Sequence, residues 1–474
     1  MHHSRPLHIS LFILSDIIAS VIVWIFIALL RKHLLNEAPY TVSGLFTQDN
    51  FFPVTLMLIP LFWLILYSVM GSYNNSVYKR SRLSELTITF IESFFGSIIL
   101  LFVLFLNDRE LNYTYFYNTF FGMLFLQTVI TYTGRFILIN IAKQHLSTGK
   151  FFFNTLIVGN GRKAYDAFKE IKKNHSASGY NIVGFISSEK MQKNGLSRWL
   201  NHLGNMETME NIIHEKKVER VIIALDKTES ELTESLISRL SEKDVEVKMV
   251  PETFQILYSP VRTENILGAV LIDIDTGLMP AWQCNIKRLL DIIISFISLI
   301  ILSPVLLFTA VRTKFSSEGP VIFSQERIGY KGKTFFIHKF RSMYMDAEKH
   351  GPALSSEKDP RITPWGRTMR KWRLDELPQL WNILKGEMSF VGPRPERRFY
   401  INELNQRTPY FRYLLKVKPG LTSWGMVRFG YASTIEEMII RMKYDLVYIE
   451  NVSLLLDLKI MVYSLKIILS GKGM

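Results

Sequence analysis

The alternation of apolar and polar positions divides the chain into three regimes. Four long apolar runs come first, at about Leu7–Leu30, Phe51–Met70, Leu86–Leu106 and Tyr115–Ile141. Each reaches the roughly 20 residues that a helix needs to cross a hydrocarbon core of about 30 Å. The first is too long for a signal-peptide core and ends in Arg31-Lys32 without a small-residue cleavage site, so the pattern predicts a retained helix. Basic residues Lys79, Arg80 and Arg82 follow the second run, and Lys143 and Lys150 follow the fourth. The short Asn107–Asn112 loop is not basic, so the positive-inside rule predicts a four-helix transmembrane bundle over 1–150 with both ends cytoplasmic. Glu92 and Arg135 fall toward the cytoplasmic ends of their runs rather than mid-span, which suggests an anchor and not a transport path.

From Phe152 the period shortens to strands alternating with helices. Strands are predicted at Asn154–Val158, Asn181–Ile186, Val218–Ala224 and Val245–Val250, with a helix to about Asn174, giving a Rossmann-like α/β domain over 151–280. Its first turn, Gly159-Asn160-Gly161-Arg162-Lys163-Ala164, fits the glycine pattern in which a helix N-terminus can take a phosphate. The acidic residue expected after the second strand is missing, because Phe185-Ile186 runs into Ser187-Ser188. Tyr165 and Lys169 form a tyrosine–lysine pair, but in the glycine-turn helix, where a short-chain dehydrogenase base does not lie. Pro251–Gln283 reads as a connector punctuated by Asp273, Asp275 and Gly277.

The third regime, 281–474, mixes a further apolar run with basic motifs. The whole chain carries a formal +14, and from Ala281 onward there are 30 Lys and Arg against 17 Asp and Glu. Such an excess suits phosphates or an anionic membrane surface. No nucleic-acid reader motif accompanies it, so no nucleic acid is expected as a partner. The single Cys284 rules out an intramolecular disulfide and an all-cysteine metal site. The run after Lys287-Arg288 has membrane length but carries Ser303-Pro304 near its middle, where proline removes an internal hydrogen bond. A chain that enters, breaks at Ser303 and Pro304 and returns over 286–311 keeps the basic region on one side; a kinked span would export it. The apolar tail Ser453–Leu469 holds Asp457, Lys459 and Lys466 on one side, as an interfacial helix would.

Within this region Leu374, Leu377, Leu380, Trp381 and Leu384 recur at helical spacing. Asp375 then takes the N-cap position and Pro378 the first turn, with Arg370, Lys371 and Arg373 flanking two adjacent carboxylates, Asp375 and Glu376. An acidic first turn that offsets the helix dipole needs no function beyond stability.

The order of motifs changes that weighting. Lys287-Arg288-Leu289-Leu290-Asp291, Ser303-Pro304, Gln325-Glu326-Arg327-Ile328-Gly329, Lys339-Phe340-Arg341-Ser342-Met343, Leu374-Asp375-Glu376-Leu377-Pro378-Gln379, Val391-Gly392-Pro393-Arg394-Pro395-Glu396 and Val417-Lys418-Pro419-Gly420-Leu421-Thr422 follow one another. The chain resembles, over its whole length, the bacterial polyprenyl-phosphate hexose-1-phosphate transferases, large monotopic phosphoglycosyl transferases of exopolysaccharide and O-antigen synthesis. One departure follows the last motif: Ser423-Trp424-Gly425-Met426-Val427-Arg428 stands where many members carry glycine, tryptophan, alanine, glutamine, valine and asparagine.

The resemblance implies an α/β catalytic domain with a re-entrant hairpin, working at the bacterial inner membrane with both soluble domains cytoplasmic. It implies a UDP-sugar, UDP-glucose foremost, and undecaprenyl phosphate as substrates, UMP as product, and Mg²⁺ as cofactor, with Asp375 as a metal ligand. Asp375 is the implied nucleophile, and Glu376 the residue that assists or deprotonates the lipid phosphate. Arg341, Arg370, Arg394, Lys339 and Lys418 are the candidate substrate-binding residues, since guanidinium forks and ammonium groups suit phosphates. Gly159 and Gly161 form a candidate nucleotide-binding turn. The oligomeric state is left open, a homo-oligomer included. A membrane-bound nucleotide-sugar dehydratase and a non-catalytic membrane scaffold are the alternatives; the first needs a fuller glycine motif, and the intact Asp-Glu pair disfavours the second.

Overall fold

The computed structural model describes residues 8–35, 41–105, 113–173, 179–187, 196–226, 230–251, 271–274, 279–349, 351, 354 and 359–470. The expected Asn107–Asn112 loop, Asp275, Gly277 and most of the Pro251–Gln283 connector lie outside them. The chain forms two compact units, one of Met1–Phe152 with Asn174–Tyr180, the other of Phe153–Lys173 with Asn181–Met474.

The first unit holds α1 (Ile9–Leu34), α2 (Val42–Gln48), α3 (Phe52–Met70), α4 (Arg82–Leu100) and α5 (Tyr113–Ser147). Among the described residues, four helices of this unit are long and apolar enough to cross a membrane. Phe12, Ile27, Trp63 and Tyr67 fill the interior, while Phe26, Leu61, Phe95 and Phe125 face outward, as a surface solvated by hydrocarbon allows. The interior is also ionic. Arg135 on α5, fully buried, meets Asp16 on α1 at 2.8 Å and Glu85 and Glu92 on α4 at 3.1 and 3.0 Å. Thr89 and Ser72 accept further bonds from the same guanidinium, and Tyr73 donates to Asp16 at 2.9 Å. Arg80, which the sequence counts among the loop charges, instead turns inward and pairs with Glu85 at 2.9 Å. Burying these charges is tolerable only because each one finds a partner.

The second unit begins with β1 (Phe153–Val158), α6 (Arg162–Lys173), β2 (Tyr180–Ser187), β3 (His202–Asn205), α7 (Met209–Glu215), β4 (Arg220–Ile223), α8 (Ser230–Leu240), β5 (Glu246–Met249) and β6 (Ile272–Asp273). The strands form one sheet in the order β3-β2-β1-β4-β5-β6, parallel except for β6. The predicted strands match to within about two residues, the usual uncertainty of element ends. Leu156, Val158, Ile186, Val221, Ile223 and Leu236 make its core.

The same unit continues with α9 (Ala281–Ile301) and α10 (Ser303–Ser316), bent by 64° where Pro304 enters the first turn of α10. β7 (Ile322–Ile328) and β8 (Thr334–Phe340) then form an antiparallel hairpin. α11 (Pro364–Lys371), a 3-10 turn at Leu374–Glu376 and α12 (Gln379–Lys385) follow. β9 (Ser389–Val391), α13 (Arg398–Arg407), a 3-10 segment at Pro409–Lys416, β10 (Gly420–Thr422), α14 (Trp424–Arg428), α15 (Ile435–Glu450) and α16 (Leu454–Leu469) complete it. Two corrections arise here. The helix predicted to start at Asp375 begins at Gln379: Leu374–Glu376 forms a separate 3-10 turn, with Leu377 N bonding to Leu374 O at 3.3 Å, and Pro378 has no N–H to carry a helical bond between the two. Arg373, left-handed at φ 53, separates that turn from α11. Asp457 lies not on an outer face of α16 but buried, accepting from Tyr448 at 2.7 Å and paired with Lys287.

Candidate active site

Three elements carry the charged groups. β8 brings Lys339, the 3-10 turn brings Asp375 and Glu376, and the segment after β9 brings Arg394. Asn382 sets the first two in register: fully buried, it donates to Phe336 O at 2.7 Å and accepts from His338 N at 3.2 Å, pinning α12 to β8. Gly392 and Gly420 let β9 and β10 cross closely, for a Cβ on Gly392 would lie 2.2 Å from Lys418 O. Between Pro393 and Pro395, Arg394 turns toward Glu376, while Glu396 turns the other way to Arg441 at 2.7 Å and Arg327 at 3.5 Å.

The two carboxylates, both buried, stand in opposite electrostatic states. Burial alone would raise Glu376, but Lys339 at 3.1 Å, Arg394 at 3.5 Å and Arg373 at 3.6 Å outweigh it and hold its carboxyl at about 2. Asp375 has no such clamp. Burial, and then the neighbouring Glu376 charge, push it above the usual aspartate range against the pull of Lys339 and Arg370. Neighbouring acids whose surroundings drive them apart are a mark of assigned chemical roles. Burial lowers Lys339 and Arg370, whose Nε donates to Ser342 Oγ at 3.0 Å.

Lys339, Arg370, Arg394, Asp375 and Glu376 are thus brought together, and two other predicted residues are placed elsewhere. Arg341 spends its guanidinium on Thr313 O at 3.2 Å, Ser317 Oγ at 3.1 Å and the carbonyls of Ser317 and Pro320, covering the C-terminal end of α10. Lys418 sits beside Gly386 at the far end of α12, its ammonium lowered by burial and by Arg288. The Lys287-Arg288 motif is likewise structural: Lys287 donates to Val391 O at 2.9 Å, and Arg288 to Ile383 O and Leu384 O at 2.6 and 2.7 Å. Ser303 bonds back to Ile300 O at 2.8 Å beside the Pro304 break. Gly159 (φ 126) and Gly161 lie in the turn from β1 to α6, where a Cβ on Gly161 would strike the Asp226 carboxylate at 1.7 Å.

Sequence reasoning missed Arg373 as a Glu376 partner, and Asn382. A helical reading of the turn hides the first, since a left-handed residue redirects its side chain. The second lies in the quoted motif but carries no charge to attract attention.

Two regions of the chain match known protein families. The bacterial sugar transferase family model matches residues 282–471, and one described as a CoA-binding domain matches 68–251. An Aeromonas hydrophila UDP-N-acetylgalactosamine-undecaprenyl-phosphate N-acetylgalactosaminephosphotransferase is 42% identical over 44% of this chain and 51% of its own length. A Klebsiella pneumoniae UDP-glucose:undecaprenyl-phosphate glucose-1-phosphate transferase is 35% identical over 55% of this chain and 56% of its own. A shorter Bacillus subtilis protein, a putative undecaprenyl-phosphate N-acetylgalactosaminyl 1-phosphate transferase, is 44% identical over 27% of this chain and 70% of its own. The chain therefore spans little more than half the length of the first two relatives. It belongs to the polyprenyl-phosphate hexose-1-phosphate transferase family.

Proposed function

We propose that the chain transfers a hexose-1-phosphate from a UDP-sugar to undecaprenyl phosphate at the cytoplasmic membrane face and releases UMP, the initiating step of a surface glycan. The observation that carries this reading is the pair of buried carboxylates in opposed states, set among Lys339, Arg370, Arg373 and Arg394. A carboxylate oxygen of Asp375 attacks the sugar-bearing phosphorus, the bond between the two phosphates breaks, and UMP leaves. An oxygen of the lipid phosphate then attacks the same phosphorus and frees Asp375. Glu376, held at about 2, is a poor base; its task is to order three cations around the reacting phosphate.

Among the described residues no three His, Cys, Asp or Glu side chains gather as a metal site. Glu376 is committed to its cations, so Asp375 is the residue of this chain that would hold a Mg²⁺ ion, a hard cation that accepts few protein ligands. Such an ion would supply charge neutralisation on the diphosphate. The bend at Ser303 and Pro304 supports a re-entrant hairpin that keeps the site on the side where nucleotide sugars occur. The dehydratase and scaffold alternatives find no support among the relatives.

The test is UMP release by the purified full-length chain with undecaprenyl phosphate and UDP-glucose, UDP-galactose or UDP-N-acetylgalactosamine, the last because of the Aeromonas relative. Turnover with one donor and its loss in Asp375→Asn are expected. Wild-type turnover in that variant would remove Asp375 as nucleophile.

A further inference from the structure

The segment Ser423–Arg428, which departs from the family pattern, folds against the site. Gly430, left-handed at φ 93, closes α14: its N–H reaches Met426 O at 3.1 Å, and that of Phe429 reaches Gly425 O at 2.9 Å. The turn brings the Tyr431 ring to 5.1 Å from the guanidinium carbon of Arg394 and 5.2 Å from that of Arg373. These are the two arginines that face Glu376. Arg394 also donates to the sulfur of buried Met426 at 3.7 Å. The support is itself fixed. Ser423 Oγ accepts from Met426 N at 3.0 Å, and buried Asp445 accepts from Gly425 N at 2.8 Å. A Cβ on Gly425 would lie 2.7 Å from Arg441 Cγ, so α14 rests directly on α15.

We propose that Tyr431 is a positioning residue of the site, its ring holding Arg373 and Arg394 where both neutralise Glu376. A guanidinium over an aromatic face gains electrostatic attraction and loses rotational freedom, and one ring serving two guanidiniums couples them. The groups that face Glu376 are Lys339 from β8, Arg373 and Asp375 from its own turn, Arg394 after β9 and Tyr431 after α14; Arg370 of α11 faces Asp375. The Tyr431 side chain is 39% exposed, but desolvation of its hydroxyl end, and then the Glu376 charge, raise that hydroxyl above its ordinary value. Removing the ring therefore loosens two of the three cations without adding a charge. The catalytic meaning of this arrangement rests on the transfer reading above; the geometry does not.

The experiment compares wild type, Tyr431→Phe and Tyr431→Leu as full-length protein, with melting temperature as a folding control. Residue-resolved phenylglyoxal labelling reads the accessibility of the Arg373 and Arg394 guanidiniums without requiring turnover. We expect both to be protected in wild type and Tyr431→Phe, and their labelling to rise about tenfold in Tyr431→Leu. In turnover, Tyr431→Leu lowers kcat more than it raises KM, while Tyr431→Phe recovers most of the loss. Wild-type labelling of both arginines in Tyr431→Leu overturns the proposal. A wild-type chain inactive with every donor overturns the transfer reading alone, and the labelling still decides the role of Tyr431.

Discussion

Asp375 and Glu376 are adjacent, chemically alike and opposite in what they do to stability. Asp375 is raised by burial, so its charge costs folding free energy at neutral pH, and the uncharged isostere Asp375→Asn should raise the melting temperature while abolishing turnover. Glu376 is lowered from 4.5 to about 2, so its contribution is fully present above 4.5 and is lost as pH falls toward 2. Glu376→Gln leaves Lys339, Arg373 and Arg394 facing one another and should cost about 3 kcal/mol in denaturant unfolding. A melting temperature that falls in both variants would show that both charges stabilise the fold. Arg373 is a third case. Its left-handed backbone is strained for a residue with a Cβ, so Arg373→Gly should hold or raise the melting temperature yet slow UMP release. The sequence made the carboxylate pair visible by its motif, but not the opposition between its members. That opposition depends on which cations converge from β8 and from the segment after β9, and no local spacing encodes it.

At the scale of elements, periodicity exposed what repeats and concealed what occurs once. Strands β1, β2, β4 and β5 were legible because buried β-branched residues cluster between polar turns, whereas β3, His202-Leu203-Gly204-Asn205, carries no apolar run and was missed. The break before α10 was legible because proline cannot continue a ladder of backbone bonds. The ionic interior of the helical unit was not. Asp16 is one polar residue in an apolar run, and only the packing of α1 on α5 brings it to Arg135. Arg341 misled for a related reason: its motif advertises a phosphate ligand, whereas the end of α10 needs donors for its last carbonyls. The buried pairing predicts that Arg135→Met, which takes the cation from Asp16 and Glu92 and leaves Glu85 to Arg80 alone, lowers stability by about 3–5 kcal/mol in detergent melts. An unchanged melting temperature would mean that water reaches the cluster.

Over the whole molecule, the excess of positive charge after Ala281 and the 64° bend bear on the same question of sidedness. With Cys284 replaced by Ser, a cysteine introduced at exposed Lys349 should resist a membrane-impermeant maleimide in intact cells and react after lysis. Labelling before lysis would place the basic region outside and overturn the proposed transfer reaction. The sheet and the transferase elements of the second unit are also joined through α8, which lies on the 3-10 segment Pro409–Lys416. Arg412 pairs with Glu242 at 3.4 Å, Ser241 bonds to Arg412 O at 3.2 Å, and Lys331 pairs with Asp244. That seam limits how the protein can be dissected. A fragment starting at Ala281 would carry a raw face where α8 had rested, immediately before the strand that leads back to the site.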